Sequence, residues 1–211
     1  ATVGFNLKNK GLIEDVKVTG SVTGNNDVAG IVNKIDEDGK IENVAFVGKI
    51  DSVGNNSTVG GIAGSNYMGF VNRAYVDATI TAQNANASML VPFVTYMLNS
   101  WKSGTKAKVT NSVAKGVLDV KNTRNVGGIV AKTWPYGAVQ DNVTYAKVIK
   151  GQEIFASNDV NDEDGGPHIK DLFGVVGYSS AEDGTGKDTK SPKKLKHLTK
   201  EEADKRVEGY K

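Results

Sequence analysis

The chain has 211 residues, 26 of them basic and 24 acidic, a formal charge of +2, and no cysteine. Balanced charge argues against an overall basic, nucleic-acid-seeking surface, and the missing thiol excludes disulfides, thiolate catalysis and cysteine-held zinc. With 25 glycines, 4 prolines, 38% apolar and 7% aromatic residues, the composition favours strands and tight turns over helices.

No run of 18 apolar residues occurs, so no transmembrane helix is expected, and the first residues lack the basic and apolar regions of a signal peptide. Gly4-Phe-Asn6 followed by Gly11-Leu-Ile13 resembles Gly64-Ser-Asn66 followed by Gly69-Phe-Val71. Residues 1–12 are therefore expected to be the tail of a preceding repeat. The lack of an atypical capping repeat reads as a cut from a longer protein, with at least one more repeat upstream.

Five ten-residue segments then align without gaps: IEDVKVTGSV from Ile13, IENVAFVGKI from Ile41, VNRAYVDATI from Val71, VTNSVAKGVL from Val109 and VQDNVTYAKV from Val139. Their starts lie 28, 30, 38 and 30 residues apart. Strand chemistry at that period predicts a solenoid of stacked coils. The first column is β-branched throughout. The third (Asp15, Asn43, Arg73, Asn111, Asp141) is polar throughout, as expected at a bend. Four positions at period two follow on one strand face. The last of these (Val22, Ile50, Ile80, Leu118, Val148) is an aliphatic stack. The one before it (Gly20, Gly48, Ala78, Gly116, Ala146) holds only glycine or alanine. Exclusion of larger side chains implies a wall close by, expected to be the opposite strand of the same coil.

A second strand is read in Val28-Ala-Gly-Ile-Val32, Val59-Gly-Gly-Ile-Ala63, Val126-Gly-Gly-Ile-Val130 and, less regularly, residues 172–176. Because these glycine doublets recur, a structural role outweighs a phosphate cradle, which occurs once between a strand and a helix. The third repeat carries an insert, residues 83–106. Its residues 89–94 could fill the Val-Gly-Gly-Ile place, and Phe93, Tyr96, Met97 and Trp101 fit one helical face after Pro92. Phe93, Tyr96 and Trp101, with Trp134 and Tyr136 of a later turn, are the candidate partner-binding residues; core packing is the competing explanation.

The acidic loop at 156–166 lacks glycine at the sixth position and glutamate at the twelfth of a calcium loop, so a solvated loop is the default. Residues 179–198 read as a polar linker. Residues 199–211 read as a short helix, with Thr199 and Glu202 as a capping box, leading into a following domain.

Nothing in the chain reads as an active site. His168 and His197 are the two histidines, and neither belongs to the His-Glu-x-x-His of a zinc peptidase. Asp15 and Asp141 are four coils apart, about 19 Å at ~4.8 Å per coil, too far for a glycosidase pair, whose carboxyls sit roughly 5–9 Å apart.

The Val-Gly-Gly-Ile-x-Gly pattern with Asn66, Gly69 and Val71-x-x-Ala74 resembles the glycine-rich GLUG repeat of bacterial surface proteins. More narrowly, NVGGIVAKTWPYG (residues 125–137) and LTKEEAD (residues 198–204) resemble the region upstream of the catalytic domain in streptococcal zinc metallopeptidases of the immunoglobulin A protease type, the Zmp family. The repeat resemblance covers residues 1–178. It implies a non-catalytic part of a secreted or cell-wall-attached peptidase, spacing its protease domain or helping hold a host glycoprotein. It also implies zinc in that protease domain and no cofactor here. No catalytic or zinc residue carries over. The alternative is a stand-alone adhesin module binding a host protein or glycan, and a carbohydrate-active enzyme is the weakest reading. The fold expected is all-β: a right-handed parallel β-helix of five to six coils at 1–178, with the insert and a short C-terminal α-helix.

Overall fold

The computed structural model describes residues 1–94 except 3, 9 and 37, residues 107–149 except 134–137 and 141, residues 155–158, 175–179 and 196–197, and Glu201, Lys205 and Glu208. It is a parallel β-solenoid with two sheets. The narrow sheet stacks Gly4–Leu7, Val32–Ile35, Ala63–Asn66, Phe93–Val94, Val130–Thr133 and Phe155–Asn158 in that order. The broad sheet stacks the longer strands, chiefly Lys17–Gly24, Lys40–Gly60, Phe70–Ser88 and Val113–Gly127. About four turns of narrow-plus-broad strands are complete among the described residues, fewer than the five to six coils expected. Among the described residues no helix is long and apolar enough to cross a membrane. Glu201, Lys205 and Glu208 are helical, with Lys205 Nζ 3.1 Å from Glu201 one turn away.

The columns of the sequence alignment are the registers of the broad sheet. Ile13 pairs with Ile41, Ile41 with Val71, Val71 with Val109 and Val109 with Val139. The aliphatic stack continues through Val22, Ile50, Ile80, Leu118 and Val148. Ile41, Val71, Val109, Ile50, Ile80 and Leu118 are buried. The polar third column is a stacked left-handed bend: φ is 54° at Asp15, 52° at Asn43, 55° at Arg73 and 51° at Asn111. Asparagine and aspartate tolerate that region because their side chains satisfy local polar groups. Here they also tie coils together, since Asn43 Nδ2 donates to Asp15 Oδ1 at 2.5 Å.

Three expectations change. The small column is small for a different reason. A Cβ on Gly48 would lie 1.8 Å from the Gly20 carbonyl oxygen, and one on Gly116 2.0 Å from that of Ala78. The wall is the backbone of the preceding coil, not the opposite strand of the same coil. Gly48 and Gly116 have φ of 148° and 104°, which direct the Cβ position along the stack. The Val-Gly-Gly-Ile stretch is a corner rather than a strand. Val28–Ala29 ends one strand, Gly30 and Ile31 bend, and Val32–Ile35 begins the narrow sheet. Gly30 N–H donates to the Gly60 carbonyl and Gly61 N–H to that of Met89. A Cβ at Gly30 would meet the Gly61 carbonyl at 2.1 Å and the Phe46 ring at 2.6 Å. Finally, Val175–Ser179 joins the broad sheet, Val143 pairing with Tyr178, so Val175 and Val176, the described part of 172–176, belong to that strand rather than to a corner.

Of the insert expected at 83–106, residues 83–94 lie in the coil. Asn84, Ala85, Ala87 and Ser88 keep register with the coils on both sides, and Met89, Leu90 and Val91 are buried.

Gly48→Leu should lower stability by about 3 kcal/mol or more, because overpacking meets backbone that cannot yield and a left-handed φ is strained by a side chain. Urea unfolding that matches the unsubstituted chain would contradict the carbonyl contact.

Candidate functional site

The narrow-sheet strands all end on one rim of the solenoid, at Leu7, Ile35, Asn66, Val94, Thr133 and Asn158. The first three ends turn back into the broad sheet through short corners. The third corner shows how. Asn66 is fully buried, its Nδ2 donating to the Gly69 carbonyl at 3.0 Å and the Lys108 carbonyl at 3.1 Å, while its Oδ1 accepts the Gly69 N–H at 2.8 Å. One amide thus closes its own corner and clamps the next coil. The corner glycine carbonyls also form a ladder: Gly11, Gly39 and Gly69 accept the N–H of Lys40, Phe70 and Lys108. Lys34 adds a surface contact, 4.8 Å from the Tyr67 ring centre and 2.9 Å from Asp36.

After Val94 and Asn158 the next described strands begin only at Lys108 and Val175, whereas four residues separate Thr133 from Ala138, as many as separate Leu7 from Leu12. Val94 pairs with Asn66 on one side and Thr133 on the other, and Thr133 pairs with Asn158. Residues 95–106, 134–137 and 159–174 therefore follow neighbouring strand ends on the same rim. Phe93 lies within the narrow sheet, half-buried and paired in register with Lys132. Tyr96, Trp101, Trp134 and Tyr136, the acidic loop beyond Asn158, most of the linker at 179–198 and most of the helix at 199–211 lie outside the described residues. What the fold brings together is the origin of those segments, a relation invisible in a linear sequence that separates residues 94 and 133.

The outward face of the broad sheet carries polar ladders. Asn72 Nδ2 donates to both Glu42 carboxylate oxygens at 2.9 and 3.0 Å, and its Oδ1 accepts from Thr110 and Asn111. Thr81 donates to Asp51 at 2.7 Å. Lys40 and Lys108 each lie 5.9 Å from the Phe70 ring centre, one from the coil on either side. Tyr75 hydrogen-bonds Asp77, and Lys115 sits 5.8 Å from its ring. Burial, reinforced by the Asp77 charge and hydrogen bond, holds the Tyr75 phenol above its ordinary pKa. Sequence reading passed over these ladders and the Asn66 clamp; the Asn-x-x-Gly spacing at 66–69 was the available signal for the latter.

The His-Glu-x-x-His of a zinc peptidase is absent from the chain. The chain's two histidines stand 29 residues apart and it has no cysteine, while among the described residues no three His, Cys, Asp or Glu side chains come together. Asp15, weighed as a carboxylate for sugar chemistry, is exposed and bonded by Asn43.

No family model matches the chain, and no solved structure matches it. Along its whole length it is 50% identical over 213 aligned residues to the zinc metalloprotease ZmpB of Streptococcus pneumoniae, of which it spans 11%. It is also 32% identical over 154 residues, 69% of the chain, to the zinc metalloprotease ZmpC of the same organism, where the match covers 8% of that protein.

Asn66→Ala should lower stability by about 2–4 kcal/mol, since a buried N–H and two carbonyls lose their partner together; thermal or urea unfolding measures it. Tyr75→Phe tests the phenol. A folded-state pKa above the unfolded value near 10 gives stability that is present below pH ~10 and lost as pH rises through the folded pKa. The stability gap between the chain and Tyr75→Phe should therefore shrink above pH ~10; a widening gap would refute the assignment.

Proposed function

Because the chain belongs to the Zmp zinc metalloproteases, as a stretch covering about a tenth of ZmpB's length, we propose that it is a non-catalytic β-helical region of a zinc metalloendopeptidase acting on host glycoprotein such as immunoglobulin A. In this reading it spaces the protease domain or helps bind the substrate. One combination of facts supports it above all. The whole chain aligns with a zinc metalloprotease, yet its sequence has no His-Glu-x-x-His. The chemistry then belongs to another part of the polypeptide, where zinc is expected, and the protein works outside the cell, secreted or attached to the wall. The same alignment favours this over a stand-alone adhesin. The repeat itself is of the GLUG type in this reading.

Substrate contact falls to the rim from which residues 95–106 and 134–137 depart, with Phe93, Tyr96, Trp101, Trp134 and Tyr136 as the contact residues. Aromatic side chains supply large contact area at little entropic cost, and repeat proteins commonly place their variable loops on one binding face. The downstream protease domain is the other partner, and the linker at 179–198 leads toward it.

Kinetics of the full-length protease on two substrates test the proposal. Deleting residues 1–178 should reduce cleavage of intact glycoprotein by about tenfold or more and leave cleavage of a short peptide largely unchanged, because a remote contact helps only a substrate that reaches it. Trp101→Ala should raise KM for the glycoprotein by about tenfold, equal to ~1.4 kcal/mol of lost binding. Equal loss on both substrates, or none on either, would defeat the substrate-binding role.

A further inference from the structure

We infer that the first broad-sheet strands, Leu12–Glu14 and Lys17–Gly24, form a docking edge for one further parallel coil of the same repeat, supplied by the polypeptide that precedes this stretch in the full-length protease. The inference rests on the edge itself. Ala45 N–H donates to the Val16 carbonyl. Alternation in a parallel ladder then turns the N–H and C=O groups of Lys17, Thr19, Ser21 and Thr23 toward the open side. Such an edge is a template for another strand. It also lacks the usual protection. Its eight residues carry one charge, Lys17, and no proline, and they hold unbroken register with Ala45–Ser52.

The inner columns point the same way. Ile41, Val44, Phe46 and Ile50 are 0–2% exposed, whereas Ile13, Val16, Val18 and Val22 in the same columns are only partly buried. The first coil therefore presents an apolar end that one more coil would cover. Gly20 supplies a separate sign. It shares the unusual backbone of Gly48 and Gly116, with φ of 140°. At those two glycines the Cβ direction runs into a carbonyl of the preceding coil. At Gly20 it meets nothing within 4 Å. Its conformation matches that of glycines lying over a neighbouring carbonyl, with open space where that carbonyl would be. The narrow sheet already extends one strand further at this end, with Gly4–Leu7 stacked on Val32–Ile35.

The occupant is thereby specified. It is a strand of about ten residues, aliphatic at the columns of Ile13, Val16, Val18 and Val22, whose backbone carbonyl lies over Gly20. It runs parallel at the ~4.8 Å spacing of neighbouring strands.

Hydrogen exchange on the full-length protease, read by mass spectrometry, tests this. Amides of 17–24 should be protected within about tenfold of those of 45–52, independently of protein concentration. A Val22→Cys variant of the same protein should react with a maleimide at least about tenfold more slowly than Leu12→Cys, which faces outward, because an added coil buries only the first. Exchange at 17–24 that is a hundredfold faster than at 45–52, with rapid labelling of Val22→Cys, would show a bare edge and overturn the proposal. Protection that disappears on dilution would overturn it too, since a second copy of the protein would then be the occupant.

Discussion

A backbone carbonyl of one coil occupies the place where a Cβ of the next would stand, and the rest of the solenoid accommodates that contact. Strands in a parallel stack sit about 4.8 Å apart. A straight strand keeps its Cβ atoms out of the gap. Where the strand must bend, the Cβ direction swings into the stack and meets the neighbouring carbonyl, as at Gly48 and Gly116 in the broad sheet and at Gly30 and Gly61 in the corner. Glycine is the only residue without that atom. Ala78, in the same column, has no left-handed φ and is accommodated with its methyl buried. The glycine content thus records where the path bends, not where a ligand sits.

Bending leaves polar backbone groups to satisfy, and the chain does so between coils. Asn66 closes a corner and holds the Lys108 carbonyl of the next coil. Asn142 repeats the device deeper in the core, donating to the Val109 carbonyl while accepting the Ser112 N–H. Ser112 in turn accepts the Ala74 N–H and donates to the Thr110 carbonyl. A buried polar group with partners stabilises modestly, but one left without them costs ~1–3 kcal/mol. These side chains therefore fix the register of each coil on the last more sharply than the aliphatic columns, which tolerate exchange of Ile, Leu and Val.

The stacking was legible because a solenoid writes its long-range contacts as a period. Ile41 over Val71 over Val109 could be read from spacing alone, and so could the bend at Asn43 and Asn111. Distance along the stack was not legible in the same way. A column of small residues says that something is near, but two walls compete, the opposite strand and the coil beneath, and composition does not distinguish them. Val-Gly-Gly-Ile has β-branched ends that suit a strand, while its glycines suit a corner, and tertiary hydrogen bonds from Gly30 and Gly61 decide for the corner. The third coil hid its corner for a related reason. Ser88 and Met89 stand where the neighbouring coils have paired glycines and Leu90 where they have isoleucine, and backbone pairing, with Gly60 in register with Ser88 and Gly61 N–H on the Met89 carbonyl, identifies them. The candidate rim needed the sheet order, because Val94 and Thr133 are adjacent in space and 39 residues apart in sequence.

This architecture separates two jobs that a compact domain combines. The columns and clamps hold the coils at fixed spacing, so each added coil lengthens the rod by about 4.8 Å without altering its cross-section. The corners are free to vary, because lengthening a loop between fixed ends costs little more than the logarithm of its length. On the rim after Ile35 and Asn66 the corners are short and internally bonded. After Val94 and Asn158 the next described strands begin only at Lys108 and Val175, while after Thr133 four residues precede Ala138. Sequence diversity on such a scaffold is cheapest where it does not touch the stack, as in the segments that follow Val94 and Asn158 in the chain. A rod that sets distance and a rim that carries contacts can therefore coexist in one piece of chain, and the spacing and substrate-holding roles proposed for it are compatible on physical grounds.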